Sequence, residues 1–284
     1  MRRLLLLAAV LGTTAGCAPG SVDDDAGYVP APLDYPPARR SGQVDDYFGT
    51  SVADPYRWME NLDAADVQEW VTAQNELSRP WLESIPVRER IIERGKKLWN
   101  YERYTPPIQR GERYFFERND GLQDQNVLYV TDDLDRPPSV VIDPNRLSDD
   151  GTVSLSGYSV SPDGRFVAWS VSDGGTDWDE WRIRRVDRGE DLPEVLRYTK
   201  FTGAAWLPDS SGFFYSRYPV DADGNGDDSR QVQVFFHQLG SLQSEDALVY
   251  EVTDHPTRNP YAQVTDDGRF LLIRIFDGYD ANAI

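Results

Sequence analysis

The chain reads as mainly β: part of a β-propeller, about four blades long, preceded by a helical segment. Three observations predict this. A turn-plus-strand unit recurs, first as Ser161-Pro162-Asp163-Gly164-Arg165-Phe166-Val167-Ala168-Trp169. It returns as Leu207-Pro208-Asp209-Ser210-Ser211-Gly212-Phe213-Phe214-Tyr215 and as Thr265-Asp266-Asp267-Gly268-Arg269-Phe270-Leu271-Leu272-Ile273. The spacing of Asp163, Asp209 and Asp267 approaches the ~40–50 residues of a propeller blade. Finally, helical spacing of apolar residues ends near Tyr104 and gives way to period-two strands between turn residues.

Taken in order, Arg2-Arg3, the apolar run Leu4 to Leu11 and the small residues after it have the layout of a secretory signal over 1–16. The apolar run is too short to span a bilayer. Ala15-Gly16-Cys17 resembles a bacterial lipobox, although Thr14 stands where that motif usually has Leu. Cys17 is the only cysteine, so an intramolecular disulfide is impossible. The reading is lipidation at Cys17, a flexible acidic tether over 17–34, and an exported protein of the periplasm or cell envelope. The lipid anchor is its one expected membrane contact.

The segment 35–83 begins irregularly and then turns helical. Asp63 is placed as the N-cap, and Asp66 adds charge to the first turn. Val67, Trp70, Val71, Leu77, Trp81, Leu82 and Ile85 recur at helical spacing, with Pro80 expected to break or kink the helix. Pro86 suits the first turn of a second helix, whose buried face is read as Val87, Ile91, Ile92, Leu98 and Trp99. The propeller is assigned to 84–284. Its blades fall at roughly 104–145, 153–197, 201–253 and from 260, the first opened by a weaker copy of the repeat, Gln109 to Phe116. The last strand pattern, Phe270 to Phe276, runs almost to Ile284. The fourth blade therefore reads as unfinished and its strand edges as unpaired.

The charge balance, 48 acidic against 29 basic side chains, excludes nucleic acid and anionic lipid surfaces as expected partners. Serine hydrolysis on an α/β-hydrolase scaffold needs a Gly-x-Ser-x-Gly elbow, and none occurs, so no catalytic residue is assigned. The two histidines, His237 in a strand-like run and His255 before Pro256, read as a strand residue facing solvent or a hydrogen bond, and as a turn residue. Neither zinc spacing nor a glycine-rich phosphate cradle is present, and no metal or cofactor is assigned. Asp221-Ala222-Asp223-Gly224-Asn225-Gly226 opens like a calcium loop, but Val232 stands where the closing Glu belongs. A solvated insertion between strands is the preferred reading.

A collinear series of motifs carries a family resemblance. It includes Asp54-Pro55-Tyr56-Arg57-Trp58, Trp70 to Asn75, Gly121-Leu122-Gln123-Asp124-Gln125-Asn126-Val127-Leu128-Tyr129, Gly175-Thr176-Asp177-Trp178 and Gln243-Ser244-Glu245-Asp246. With these runs the chain, from about Tyr35 on, resembles the N-terminal portion of the prolyl oligopeptidase family of serine peptidases. The resemblance implies a seven-bladed propeller, of which about four blades are present here. It assigns the helical segment 35–83 to an α/β-hydrolase domain whose remainder, with the catalytic groups, lies beyond Ile284. It implies cleavage of short proline-containing peptides after proline, with the propeller restricting access. The missing hydrolase domain becomes the expected partner, and this chain alone is expected to be inactive. The resemblance places Ile183 and Val249 among the side chains lining the substrate cavity. A different class of function, a non-catalytic propeller lipoprotein that binds peptides or proteins, is the alternative.

Overall fold

A computed structural model describes residues 33–284, except 254, 256–257, 279–280 and 284; of 281–283 it describes the backbone only. The signal, the tether before residue 33 and Cys17 lie outside the described residues. By internal contacts the chain divides into a unit ending at Arg90 and a unit starting at Ile91.

The first unit holds a hairpin, β1 (Val44–Tyr47) with β2 (Thr50–Ala53), and helix α1 (Ala65–Glu83). The run Asp54 to Trp58 is a polar knot. Asp54 accepts from the Tyr56 amide at 3.2 Å and from Arg57 Nε at 2.7 Å, and Arg57 also pairs with Asp45 on β1. The Arg57 hydrogen bond holds the Asp54 carboxyl below its usual range. Trp58 Nε1 donates to the Arg39 carbonyl at 2.7 Å, and Gln74 on α1 donates to the Pro36 carbonyl at 3.2 Å. The irregular segment is thereby tied to the helix.

Two helix expectations need correction. The N-cap is Ala64, with no side-chain cap, and Asp66 instead binds the Val67 amide and pairs with Arg39. Pro80 lies inside α1, which runs on to Glu83; the Pro80 carbonyl accepts the Ser84 amide, and proline forfeits one donor there. Helix α2 (Arg88–Trp99) has no buried residue, and Ile91, Leu98 and Trp99 are exposed. Its apolar stripe exists, but none of the described residues covers it.

The second unit is a series of antiparallel sheets. In the first, β3 (Arg103–Tyr104) and β4 (Ile108–Arg110) both pair with β5 (Arg113–Asn119), followed by β6 (Val127–Thr131) and β7 (Ser139–Ile142). The second runs β8 (Ser154–Val160), β9 (Phe166–Ser172), β10 (Asp179–Arg185), β11 (Glu190–Thr199). The third runs β12 (Ala205–Trp206), β13 (Gly212–Arg217), β14 (Gln233–Gln238), β15 (Ala247–Tyr250). The fourth has β16 (Arg258–Val264), β17 (Leu271–Asp277) and β18 (Ala281–Ala283). Consecutive strands are neighbours, as in propeller blades. Pro193 is tolerated because β11 is an edge strand.

The core is split between the seams of successive blades. Phe115, Leu128 and Ile142 of the first blade meet Val160, Val167 and Trp169 of the second. Trp181, Ile183 and Leu196 of the second meet Trp206, Phe213 and Tyr215 of the third. Strand alternation makes this possible: on β10, Trp181 and Ile183 face one seam, while Arg182 and Arg184 lie near Trp169 of the other. First strands also bond directly, through Ser159 Oγ to the Ala204 carbonyl at 2.8 Å and Trp206 Nε1 to the Ser159 carbonyl at 3.1 Å.

Candidate functional site

The two side chains expected to line a substrate cavity lie in adjacent blades. Ile183 sits mid-strand on β10, opposite Ala168, and has no exposed surface. Its side chain is part of the packing between the second and third blades. Val249 lies on β15, where the pairing with β14 slips by one residue, and is 39% exposed. No single surface in this structure carries both side chains.

A polar network fixes the start of β15. Asp246, immediately before it, accepts from Tyr215 Oη at 2.6 Å and lies 2.8 Å from His237 Nδ1. The side chains of His237 and Asp246 are wholly buried. Burial pushes the Tyr215 hydroxyl up, out of reach of ordinary titration, and the Asp246 bond adds to this. Gln243 donates to Tyr215 Oη at 3.1 Å and exchanges two hydrogen bonds with the Arg197 backbone. His237 is thus neither solvent-facing nor near a serine nucleophile. Period-two alternation signals its buried side, since Phe235 and His237 share a face of β14, but Asp246 as its partner follows only from tertiary packing.

Two clefts open on the blades. A cleft of about 640 Å³ is walled by Trp169, Trp178, Arg182, Arg197 and Asn225. Glu180 crosses its wall, pairing with Arg182 at 2.7 Å and Arg197 at 3.1 Å. Burial, together with the neighbouring Asp177 charge, raises the Asp179 carboxyl at its rim. A second cleft, about 440 Å³, is aromatic, with Phe201, Tyr261 and Phe276.

The insertion after Asp221 is more than a solvated loop. Gly226 packs so tightly on Trp178 that a Cβ there would lie 2.6 Å from the indole. Lys200 Nζ stands 4.2 Å from the Trp178 ring centre and 2.5 Å from Asp228. Tyr218 meets Trp178 edge-on at 5.6 Å. The loop is clasped to the second blade. Asp221 Oδ1 accepts the amides of Asp223 and Asn225 at 2.9 and 2.8 Å, which uses that oxygen to close the turn. Among the described residues no group of three His, Cys, Asp or Glu is placed to hold a metal. Nor is any described helix long and apolar enough to cross a membrane.

Residues 36–284 match the family model "Prolyl oligopeptidase, N-terminal beta-propeller domain". Over 254 residues the chain is 37% identical to the prolyl endopeptidase of Elizabethkingia meningoseptica, covering 89% of this chain and 36% of that protein. It is 34% identical to prolyl oligopeptidase A of Amanita bisporigera, covering 84% of this chain and 36% of the relative. One solved prolyl endopeptidase structure is similar at a TM-score of 0.78 and 35% identity, over 87% of this chain and 37% of that one. Prolyl oligopeptidase B of Galerina marginata, solved with a 35mer hydrolysis and macrocyclization substrate, is similar at 0.71 and 31% identity, over 87% of this chain and 38% of that one. The chain therefore spans a little over a third of the length of the relatives it matches.

Proposed function

The chain belongs to the prolyl oligopeptidase family, and we propose that it is the N-terminal, propeller-bearing part of a serine endopeptidase that cleaves short peptides after proline. The observation that carries this reading is the match over 36–284 to the family's propeller, at 37% identity to a prolyl endopeptidase. In this reading the propeller limits which peptides reach the catalytic groups, and those groups come from a hydrolase domain outside the given sequence. The chain's own contribution is steric and adhesive: a row of packed blades, Val249 on an accessible strand, and clefts walled by aromatic rings and charged groups. Chemistry by this chain alone is not expected, because no Gly-x-Ser-x-Gly elbow occurs in it.

Export and lipidation at Cys17 are also proposed, from the order of charged, apolar and small residues before it. The functional test compares two proteins: this chain, and the full product of its gene. Each is incubated with a proline-containing chromogenic peptide, with a long unfolded polypeptide carrying the same bond, and with a serine-directed covalent probe. The expected result is probe labelling and short-peptide turnover by the full product only, with the long polypeptide spared. Stoichiometric labelling of this chain, or equal cleavage of both substrates by the full product, overturns the reading.

A further inference from the structure

The seam between the second and third blades contains a polar site that the packing leaves incomplete. Three buried side-chain atoms there have no hydrogen-bond partner: Trp181 Nε1, Glu194 Oε2 and His237 Nε2. All three residues belong to one interface. Trp181 is part of the apolar cluster joining the two blades. Glu194 lies on β11 between Leu192 and Leu196, both in that cluster, and its other oxygen accepts the Gly240 amide of the third blade at 2.9 Å. His237 pairs across strands with Phe213 of the same cluster, with ring centres 5.5 Å apart. Glu194 is 4% exposed and His237 0%.

Their chemistry is complementary to one kind of ligand. Asp246 also accepts from Tyr215, and an ionised carboxylate can only accept. The proton on the neutral His237 ring therefore sits on Nδ1, and Nε2 is an acceptor. Glu194 Oε2 is a second acceptor and the Trp181 indole N–H a donor. Two acceptors and one donor match the two O–H bonds and a lone pair of a water molecule. Buried waters hold this kind of place, making about three hydrogen bonds to polar groups that would otherwise be orphaned. Leaving such groups unmet costs about 1–3 kcal/mol each.

We propose that this seam is an internal water site, in which one water or a short chain of waters joins Glu194 Oε2 to His237 Nε2 and accepts from Trp181. Bound water then extends the chain Tyr215–Asp246–His237 across the seam to the second blade. The polar joint links Asp246, next to β15, with Glu194 on β11 without any direct side-chain bond.

A crystal structure of the chain at a resolution that orders solvent tests this directly. An ordered water within about 2.7–3.2 Å of both Glu194 Oε2 and His237 Nε2 is expected. In solution, magnetic relaxation dispersion counts long-lived internal waters, and Glu194→Met is expected to lower the count by about one. A dry seam, an ion in place of water, or a direct Glu194–His237 bond overturns the proposal. So does a count unchanged in a folded Glu194→Met variant. If that variant does not fold, the measurements on the unmodified chain decide alone.

Discussion

The Asp163 amide donates to Ser210 Oγ at 3.3 Å, across 47 residues of sequence, and joins the repeated turns of two adjacent blades. These turns stack one on the next. Gly111 of the first blade touches the Asp163 carbonyl, and Gly164 touches the Arg110 carbonyl. Gly268 of the fourth packs on Pro208 of the third. Gly164 and Gly268 take left-handed backbone, with φ of 69° and 66°. Ser210 holds the equivalent place in the third blade, at φ 59°, and is 2% exposed.

This predicts a split between substitutions at equivalent positions. Gly164→Ala adds a Cβ 2.5 Å from the Arg110 carbonyl oxygen at a positive φ, and is expected to cost roughly 1–3 kcal/mol or more. Ser210→Ala keeps the strain and loses the hydrogen bond, for about 1 kcal/mol. Ser210→Gly loses the bond but relieves the backbone, so it stays closer to the parent. Urea unfolding of the three variants checks this order. Equal midpoints for Ser210→Ala and the parent would remove the bond from the account.

The same turns predict an acid response. At Asp163 burial raises the carboxyl, but the Arg165 amide and the hydroxyls of Ser161 and Ser210 outweigh it, and the net direction is down. Asp209 is lowered by the Ser211 hydroxyl and amide, and Asp267 by Thr265 and the Arg269 amide. A carboxyl depressed in the folded state stabilises above the unfolded value, about 3.9, and that contribution is lost as pH falls through the folded value. Stability is therefore expected to drop below about pH 4. Asp163→Asn should flatten that slope while leaving its shape above pH 5 (roughly) unchanged. An identical acid slope in the variant contradicts the assignment.

At the clasp, Gly226→Ala is expected to lift the 221–230 loop from Trp178, because the added Cβ meets the indole. Limited trypsin digestion reads this out at Arg230, which is exposed on the loop. Cleavage there should accelerate in Gly226→Ala and in Lys200→Ala, with the global unfolding midpoint little moved. An unchanged cleavage rate in both would show that the contacts do not hold the loop.

For export, Cys17→Ala is expected to shift the protein from membrane to soluble fractions in a lipoprotein-processing bacterium, with loss of the lipid mass at the N-terminus. Identical fractionation and unmodified N-termini for both proteins would end the anchor proposal.

The sequence by itself determined the blade pattern. Asp-Gly turns need left-handed backbone, and strands half-buried on each side need period two, so Asp163, Asp209 and Asp267 mark blades without coordinates. It also carried the family, because a collinear set of motifs survives translation into a family match over 36–284. What it left open depends on contacts between residues far apart in sequence. Nothing local says that Pro80 would stay within a helix, or that α2 would keep Ile91 and Trp99 exposed. Alternation assigns Ile183 to a face of β10, but only the neighbouring blade decides that this face is sealed. Likewise His237 and Asp246 are nine residues apart, yet their pairing requires β14 and β15 to be neighbours. Burial and hydrogen-bond partners are properties of assembled blades, and tertiary packing alone decides them.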